Sequence, residues 1–174
     1  NVQWQGDMSL TDMINQGVRQ AYIHPDNVLR ASILSDPDGE RKNTGDNTPA
    51  VIHYDIVQGD KVSIDVAAKG GGSEAKSKFA MLNPSDSVVD WVLKMVPTMG
   101  AGWCPPGMLG IGIGGTAEKA MLMAKESLLE HIDISELQAR GASNRNEELR
   151  LELFDKVNAL GIGAQGLGGL TTVL

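Results

Sequence analysis

Glycine is the residue that most constrains what this chain can fold into. There are 21 glycines among 174 residues, whereas aromatic residues make up only 4%. Many of the glycines are concentrated in three stretches, which read KGGGS at 69–73, GMLGIGIGG at 107–115 and GIGAQGLGG at 161–169. Because glycine lacks a Cβ atom, these stretches predict tight turns and close contacts between backbones, and the scarcity of rings argues against an aromatic core.

The composition is otherwise that of an acidic globular chain. Apolar residues make up 41%, charged residues 21%, and the net charge is −7. The chain has no basic block, so nucleic acid is not an expected partner. Its apolar runs are too short to cross a bilayer and it shows no signal-peptide pattern, so no membrane partner and a cytoplasmic location are expected. The single cysteine, Cys104, excludes an internal disulfide and fits a reducing compartment.

The two ends of the chain suggest that it is a piece of a longer polypeptide. The first residue is Asn1 rather than methionine, and the last seven residues, GGLTTVL, resemble a strand. No internal linker or repeat is visible. We therefore interpret residues 1–174 as a single domain of a longer protein.

The hydrophobic periodicity predicts an α+β fold. Apolar residues recur at helical spacing in four segments: 9–24, 83–96, 116–132 and 146–160. Strand-like patterns occupy four others: 50–57, 61–68, 78–82 and 107–115. The first two strands are separated only by QGD at 58–60, which predicts a β-hairpin. This order favours a mixed or antiparallel sheet with packed helices, and residues 35–50 are predicted to form a long loop.

One glycine motif raises the possibility of nucleotide binding. Gly110, Gly112 and Gly115 match the G-x-G-x-x-G fingerprint, and they lie between a predicted strand and a predicted helix. The acidic residues at the required distance, Glu130 and Asp133, fall in or just after a helix instead of at the end of a strand. Two interpretations of this motif therefore stay open: it belongs to a dinucleotide-binding module, or its glycines let a helix pack closely on a strand.

The glycine triplet at 70–72 is also open to two interpretations. Lys69, Lys76 and Lys78 lie close to it in sequence. Its backbone N–H groups, with these lysines, suit a carboxylate or a phosphate. A flexible surface loop explains the same residues.

Cys104 is followed directly by Pro105 and Pro106. A lone cysteine usually behaves as a small buried hydrophobe. The two prolines fix the chain just after the thiol, and Cys-Pro recurs in loops that ligate iron–sulfur clusters. One thiolate does not hold a cluster, so Cys104 by itself indicates metal ligation only if further ligands lie elsewhere.

Six short blocks stand in a specific order along nearly the whole chain. They are DNVLRAS (26–32), NTGDNTPA (43–50), KGGGSEAKS (69–77), GWCPPG (102–107), GIGIGGTAEKAM (110–121) and LGIGAQGLGG (160–169). Their order and spacing resemble the N-terminal domain of class I fumarases, the iron–sulfur hydro-lyases. L-tartrate dehydratases are relatives that share the Cys-Pro-Pro, and the intact KGGGS run looks more like the fumarase branch.

The resemblance implies an activity and three site residues. In this family three cysteines hold a [4Fe-4S] cluster whose fourth iron binds the substrate, and the enzyme interconverts fumarate and (S)-malate. Cys104 matches the middle cluster cysteine. Arg30 matches an arginine that grips a substrate carboxylate, and Gly72 matches a glycine whose backbone touches the substrate. The family places the Gly110–Gly115 run in the scaffold.

The resemblance also implies that part of the active site lies outside residues 1–174. The other two cluster cysteines and the catalytic base belong to flanking segments, so no catalytic residue is expected within this chain. The chain alone is expected to be inactive and to lack the cluster. Its implied partners are the rest of the parent polypeptide, a small dicarboxylate and a second copy in a homodimer. No catalytic role is assigned to the three histidines, His24, His53 and His131.

Overall fold

The computed structural model describes residues 4–174, and the chain divides into two compact units. The first unit ends at Ser63 and the second runs from Ile64 to Leu174. The interpretation of the chain as a single domain stays a prediction.

The first unit is built around helix α1, Leu10–Ile23. Ser9 caps the helix, because its hydroxyl accepts a hydrogen bond from the Asp12 N–H at 3.1 Å. The helix ends just before Pro25, as the sequence predicted. Strands β1, Leu34–Ser35, and β2, Lys42–Asn43, then form a short antiparallel pair. Apart from Leu34, this pair lies within residues 35–50, the segment predicted to be a loop.

Gly17 lies in the middle of α1 with open space where a side chain would stand. We expect Gly17→Ala to raise the free energy of unfolding by about 0.5–1 kcal/mol, because alanine loses less backbone entropy in a helix. The matched control is Gly45→Ala, where space is also open but φ is +78°, and there we expect destabilisation. Chemical denaturation followed by circular dichroism measures both. A change of the same sign in the two variants would contradict this account.

Five helices shape the second unit. They are α2 (Gly71–Glu74), α3 (Val88–Met95), α4 (Ala117–Glu126), α5 (Ile134–Arg140) and α6 (Arg145–Asn158). Two 3₁₀ segments, Val96–Trp103 and Ala164–Gly166, connect to them. Side chains cap three of the helices in the way that their sequences favour. The capping residues are Ser87, Asp133 and Asn144.

The hydrophobic core of the second unit lies between α3 and α6. It is aliphatic apart from one indole, in line with the low aromatic content. Its buried members are Val89, Val92, Val96, Trp103, Leu153, Val157 and Val173. Trp103 and Val173 bring the end of the first 3₁₀ segment and the C-terminal stretch to this core, so the segment that carries Cys104 is anchored on it.

The predicted strands are not formed. Within residues 4–174, the segments 50–57, 61–68, 78–82 and 107–115 carry no named strand, and Gly107 and Val173 form one isolated parallel bridge. Many of their apolar side chains are exposed, including Val51, Ile56, Val66 and Met81. The alternating pattern indicates extended backbone, but a strand also needs a partner. The predicted β-hairpin is therefore wrong for this chain, and the α+β class rests on β1 and β2.

Two helix boundaries also differ from the predictions. The helix predicted over 116–132 ends at Glu126, and α5 forms in a segment where the hydrophobic periodicity predicts neither a helix nor a strand. The helix predicted over 83–96 begins at Val88, where Ser87 provides the cap.

In the described part of the chain, no helix is long and apolar enough to cross a membrane.

Candidate functional site

Cys104 is displayed at the end of the 3₁₀ segment Val96–Trp103. Cys104 is exposed, whereas its neighbours Trp103 and Pro105 are buried. The sequence therefore places the thiol between two anchors that hold the backbone on the core. Such a thiol is available to a ligand, in contrast to the buried position that a lone cysteine usually takes.

The backbone at Cys104 is in the left-handed region, with φ 60° and ψ 55°. A residue with a Cβ loses about 1–2 kcal/mol in this conformation, and a following proline favours extended backbone instead. Surrounding contacts must therefore hold the turn. The Cys104 N–H donates to the Ala101 carbonyl at 2.9 Å, and the Pro105 carbonyl accepts from the Gln165 N–H at 2.7 Å.

The C-terminal stretch also supports the turn through backbone hydrogen bonds. The Gly107 N–H donates to the Thr172 carbonyl at 3.2 Å, and the Leu174 N–H donates to the Gly107 carbonyl at 3.1 Å. Thr172 is fully buried. The GIGAQGLGG motif and the residues after it thus form the support of the Cys-Pro-Pro turn, a role that its sequence alone did not reveal.

Gly72 packs directly against the segment that precedes Cys104. A Cβ atom built at Gly72 would lie 2.7 Å from the Gly102 carbonyl oxygen, which is closer than real Cβ contacts. Glycine is therefore required at 72 by this neighbouring backbone. Gly72 is itself exposed, so its backbone is also open to a ligand. The structure brings two of the three predicted site residues, Gly72 and Cys104, into one assembly.

Lysine side chains around the glycine triplet have separate roles. Lys69 binds Glu74 at 2.8 Å, and Lys125 of α4 binds the same carboxylate at 2.9 Å. These hydrogen bonds hold the pKa of Glu74 below its usual range, and the bond from Lys69 has the larger effect. The Lys76 stem lies over Gly102. Lys69 is thus engaged in an ion pair instead of being free for an anion.

Two glycines of the Gly110–Gly115 motif, Gly110 and Gly112, pack directly against α4. A Cβ built at Gly110 or Gly112 would overlap backbone atoms of Ala124 or Ala120 in α4. The glycines therefore let the chain lie directly on the helix, as the packing interpretation predicted. Because α4 occupies the faces of these two glycines, no room is left there for the pyrophosphate that the fingerprint normally contacts.

Arg30 belongs to the first unit and is exposed. Its segment is tied to the NTGDNTPA block: the Asn43 amide donates to the Ala31 carbonyl at 2.8 Å, and the Asn47 side chain accepts from the Ser32 N–H at 2.8 Å. Two blocks of the family resemblance therefore fold together. Hydrogen bonds from Thr48 and then Arg19 lower the pKa of Asp46 in this block to about 2, so its carboxylate stays ionised at neutral pH.

The described residues offer few metal ligands. Within residues 4–174 there is no group of three or more His, Cys, Asp or Glu side chains that could hold a metal ion. Cys104 fits a cluster as one soft, exposed ligand on a held turn. The remaining ligands of such a group must come from outside the described residues.

The family model for fumarate hydratase (Fumerase) matches residues 1–174. The chain belongs to this family.

Similar curated proteins carry the name L(+)-tartrate dehydratase subunit alpha. A Methanocaldococcus jannaschii protein that bears this name provisionally is 37% identical over 176 residues, which cover 96% of this chain and 58% of that protein. The Escherichia coli O157:H7 protein is 31% identical and the K12 protein 30% identical, each over 95% of this chain and 54% of its own length. The chain thus spans little more than half the length of these relatives.

Proposed function

We propose that the full-length protein is a hydro-lyase that interconverts fumarate and (S)-malate. The observation that carries this proposal is the assembly of the exposed Cys104 turn with the glycine triplet, in a chain of the fumarate hydratase family. An exposed thiol, with an accessible glycine backbone packed against the chain two residues before it, suits a site where a metal ligand and a small anionic substrate meet.

We propose further that Cys104 is one of three ligands to a [4Fe-4S] cluster. The thiol is exposed and its turn is held on both sides, so it is ready to ligate without rearrangement of the backbone. A cluster bound there supplies a Lewis-acidic iron, which makes a substrate hydroxyl a better leaving group. The other two ligands lie in parts of the protein beyond this chain.

The chain's own residues bind and orient the substrate in this proposal. The Arg30 guanidinium presents a planar fork that matches a carboxylate, so it grips one end of the dicarboxylate. The exposed backbone of Gly72 lets the substrate approach closely. The base that removes the substrate proton belongs to the rest of the protein, and therefore this chain alone is expected to be inactive.

The second candidate activity is dehydration of L-tartrate. It is favoured by the names of the similar proteins from Methanocaldococcus jannaschii and Escherichia coli. Those names also describe an alpha subunit, which favours a partner chain that completes the enzyme. The homodimer implied by the fumarase resemblance stays a prediction.

Anaerobic purification of the full-length protein tests both candidates. Iron and sulfide content is measured together with consumption of fumarate and of L-tartrate. About four irons per chain is the stoichiometry of one [4Fe-4S] cluster, and with turnover of fumarate it would support the first proposal. The same iron content with turnover of tartrate alone would select the second activity. A protein without iron and turnover after reconstitution would contradict the proposed function.

Arg30→Ala in the full-length protein should raise KM for the dicarboxylate about 10- to 150-fold, the range expected when a hydrogen bond to a charged group is lost. Iron content should not change, because Arg30 is not a ligand. Arg145→Ala is the control, since Arg145 forms only an exposed ion pair with Glu148 at 3.0 Å. Steady-state kinetics and iron analysis measure these effects. Loss of iron in Arg30→Ala would show a structural role instead.

A further inference from the structure

The segment 70–74 touches the backbone just before Cys104 at two successive residues. Gly72 lies against the Gly102 carbonyl. The half-buried Ser73 hydroxyl donates to the Trp103 carbonyl at 3.3 Å. These contacts join two motifs that are 30 residues apart in sequence.

The contact from Ser73 bears on the orientation of Cys104. The Trp103 carbonyl and the Cys104 N–H belong to one rigid peptide plane. The carbonyl accepts from Ser73, and the N–H donates to Ala101 at 2.9 Å. Both polar groups of this plane are therefore bound, which fixes one side of the strained Cys104 backbone. The other side is fixed through Pro105 and Gln165.

Ser73 is itself held in place by its neighbour. Glu74 binds Lys69 and also Lys125, so segment 70–74 is tied to α4. The missing side chain at the adjacent Gly72 permits the close approach to Gly102 that puts the hydroxyl within reach of Trp103. The hydroxyl therefore acts from a fixed position.

We infer that Ser73 is a positioning residue for Cys104. Through the Trp103 carbonyl it holds the turn in the left-handed conformation that presents the thiol. This inference rests on the proposed function in that Cys104 is taken as the cluster ligand. It goes beyond the proposed function in one respect. The segment that contains Gly72, the proposed substrate contact, also sets the geometry of Cys104, the proposed cluster ligand.

The test uses the full-length protein with Ser73→Ala and Ser73→Thr. The control is Ser127→Ala, because the half-buried Ser127 hydroxyl also donates to a backbone carbonyl, but to that of Ala124 in α4 at 2.9 Å and not to one in the turn. Amide hydrogen exchange is followed in the peptide that covers 96–104, and iron release to a chelator is timed. In Ser73→Ala we expect exchange there to rise about three- to tenfold, and iron release to quicken.

Threonine keeps the hydroxyl, so a return to the wild-type exchange rate in Ser73→Thr would show that the hydroxyl positions the turn and that packing alone does not. Exchange in peptides from α6 should not change in any variant. Three results would each overturn the inference. The first is an exchange rate over 96–104 in Ser73→Ala that equals the wild-type rate. The others are a Ser73→Thr protein that exchanges as fast as Ser73→Ala, and exchange that is faster by the same factor throughout the protein.

A second pair of variants tests the same contact independently. Gly72→Ala places a Cβ against the Gly102 carbonyl, whereas a Cβ at Gly70 comes no closer than 3.9 Å, to Ser73 Oγ. Faster exchange over 96–104 in Gly72→Ala alone is expected, and equal behaviour of the two would overturn the inference. If the wild-type protein holds no iron and turns over no diacid, the proposed function fails, while the exchange data still decide the role of Ser73.

Discussion

Cys104→Ser in the full-length protein is expected to abolish cluster retention and to lower turnover more than about 100-fold. Even residues that only support a metal ligand change affinity or activity by about 10–100-fold. Serine offers a hard hydroxyl in place of a soft thiolate, and iron–sulfur clusters select thiolates. Iron and sulfide analysis after anaerobic purification, together with turnover of fumarate and L-tartrate, measures the effect.

The fold should survive this substitution. Cys104 is exposed, and the hydrogen bonds that hold its turn come from the backbone on both sides. The thermal midpoint of Cys104→Ser without iron should therefore equal that of the wild-type protein from which iron has been removed. Met108→Ser is a suitable control, because Met108 is also exposed and lies just beyond the turn. Full iron content and turnover in Cys104→Ser would refute the ligand assignment.

The helices could be predicted where the sequence carries both periodicity and caps. Helix α1 has an apolar face, a serine cap and a following proline, and its observed bounds agree with the prediction. Helix α5 was missed because its composition is polar. Its start does carry a signal, however: Asp133 caps it and Glu136 follows three residues later, a capping-box spacing.

The strands could not be predicted from alternation alone. Val62, Ile64 and Val66 alternate with polar residues, yet all three are exposed in the structure. Alternation specifies which face of an extended segment is apolar, but hydrogen-bonding partners come from elsewhere in the fold. Within residues 4–174 those partners are formed only for β1 and β2 and at the single Gly107–Val173 bridge.

Motifs and the family resemblance indicate the candidate site residues, whereas they do not indicate how these residues are arranged. Gly72 and Cys104 were selected by resemblance, and the structure adds that Gly72 lies on Gly102. No local pattern indicates a contact over 30 residues. The requirement for glycine at 72 arises from the carbonyl of another segment, which becomes visible only when both segments are folded.

Gly112→Ala is expected to lower the free energy of unfolding by about 2–4 kcal/mol, which is large for the replacement of one hydrogen atom by a methyl group. The new methyl group would overlap the Ala120 carbonyl in α4, and backbone in the middle of a helix does not move as a flexible side chain does. Gly70→Ala is the matched control, since the space there is open. Urea denaturation at constant m-value measures both.

The same variant separates the two interpretations of the Gly110–Gly115 motif. If the glycines serve packing, Gly112→Ala shifts the urea midpoint to lower concentration and NAD(H) does not stabilise either protein. If the motif bound a dinucleotide, wild-type protein would gain stability with NAD(H) by mass action, and the variant would lose that gain while unfolding at the wild-type midpoint without ligand. A Gly112→Ala protein as stable as wild type would therefore contradict the close contact between Gly112 and α4.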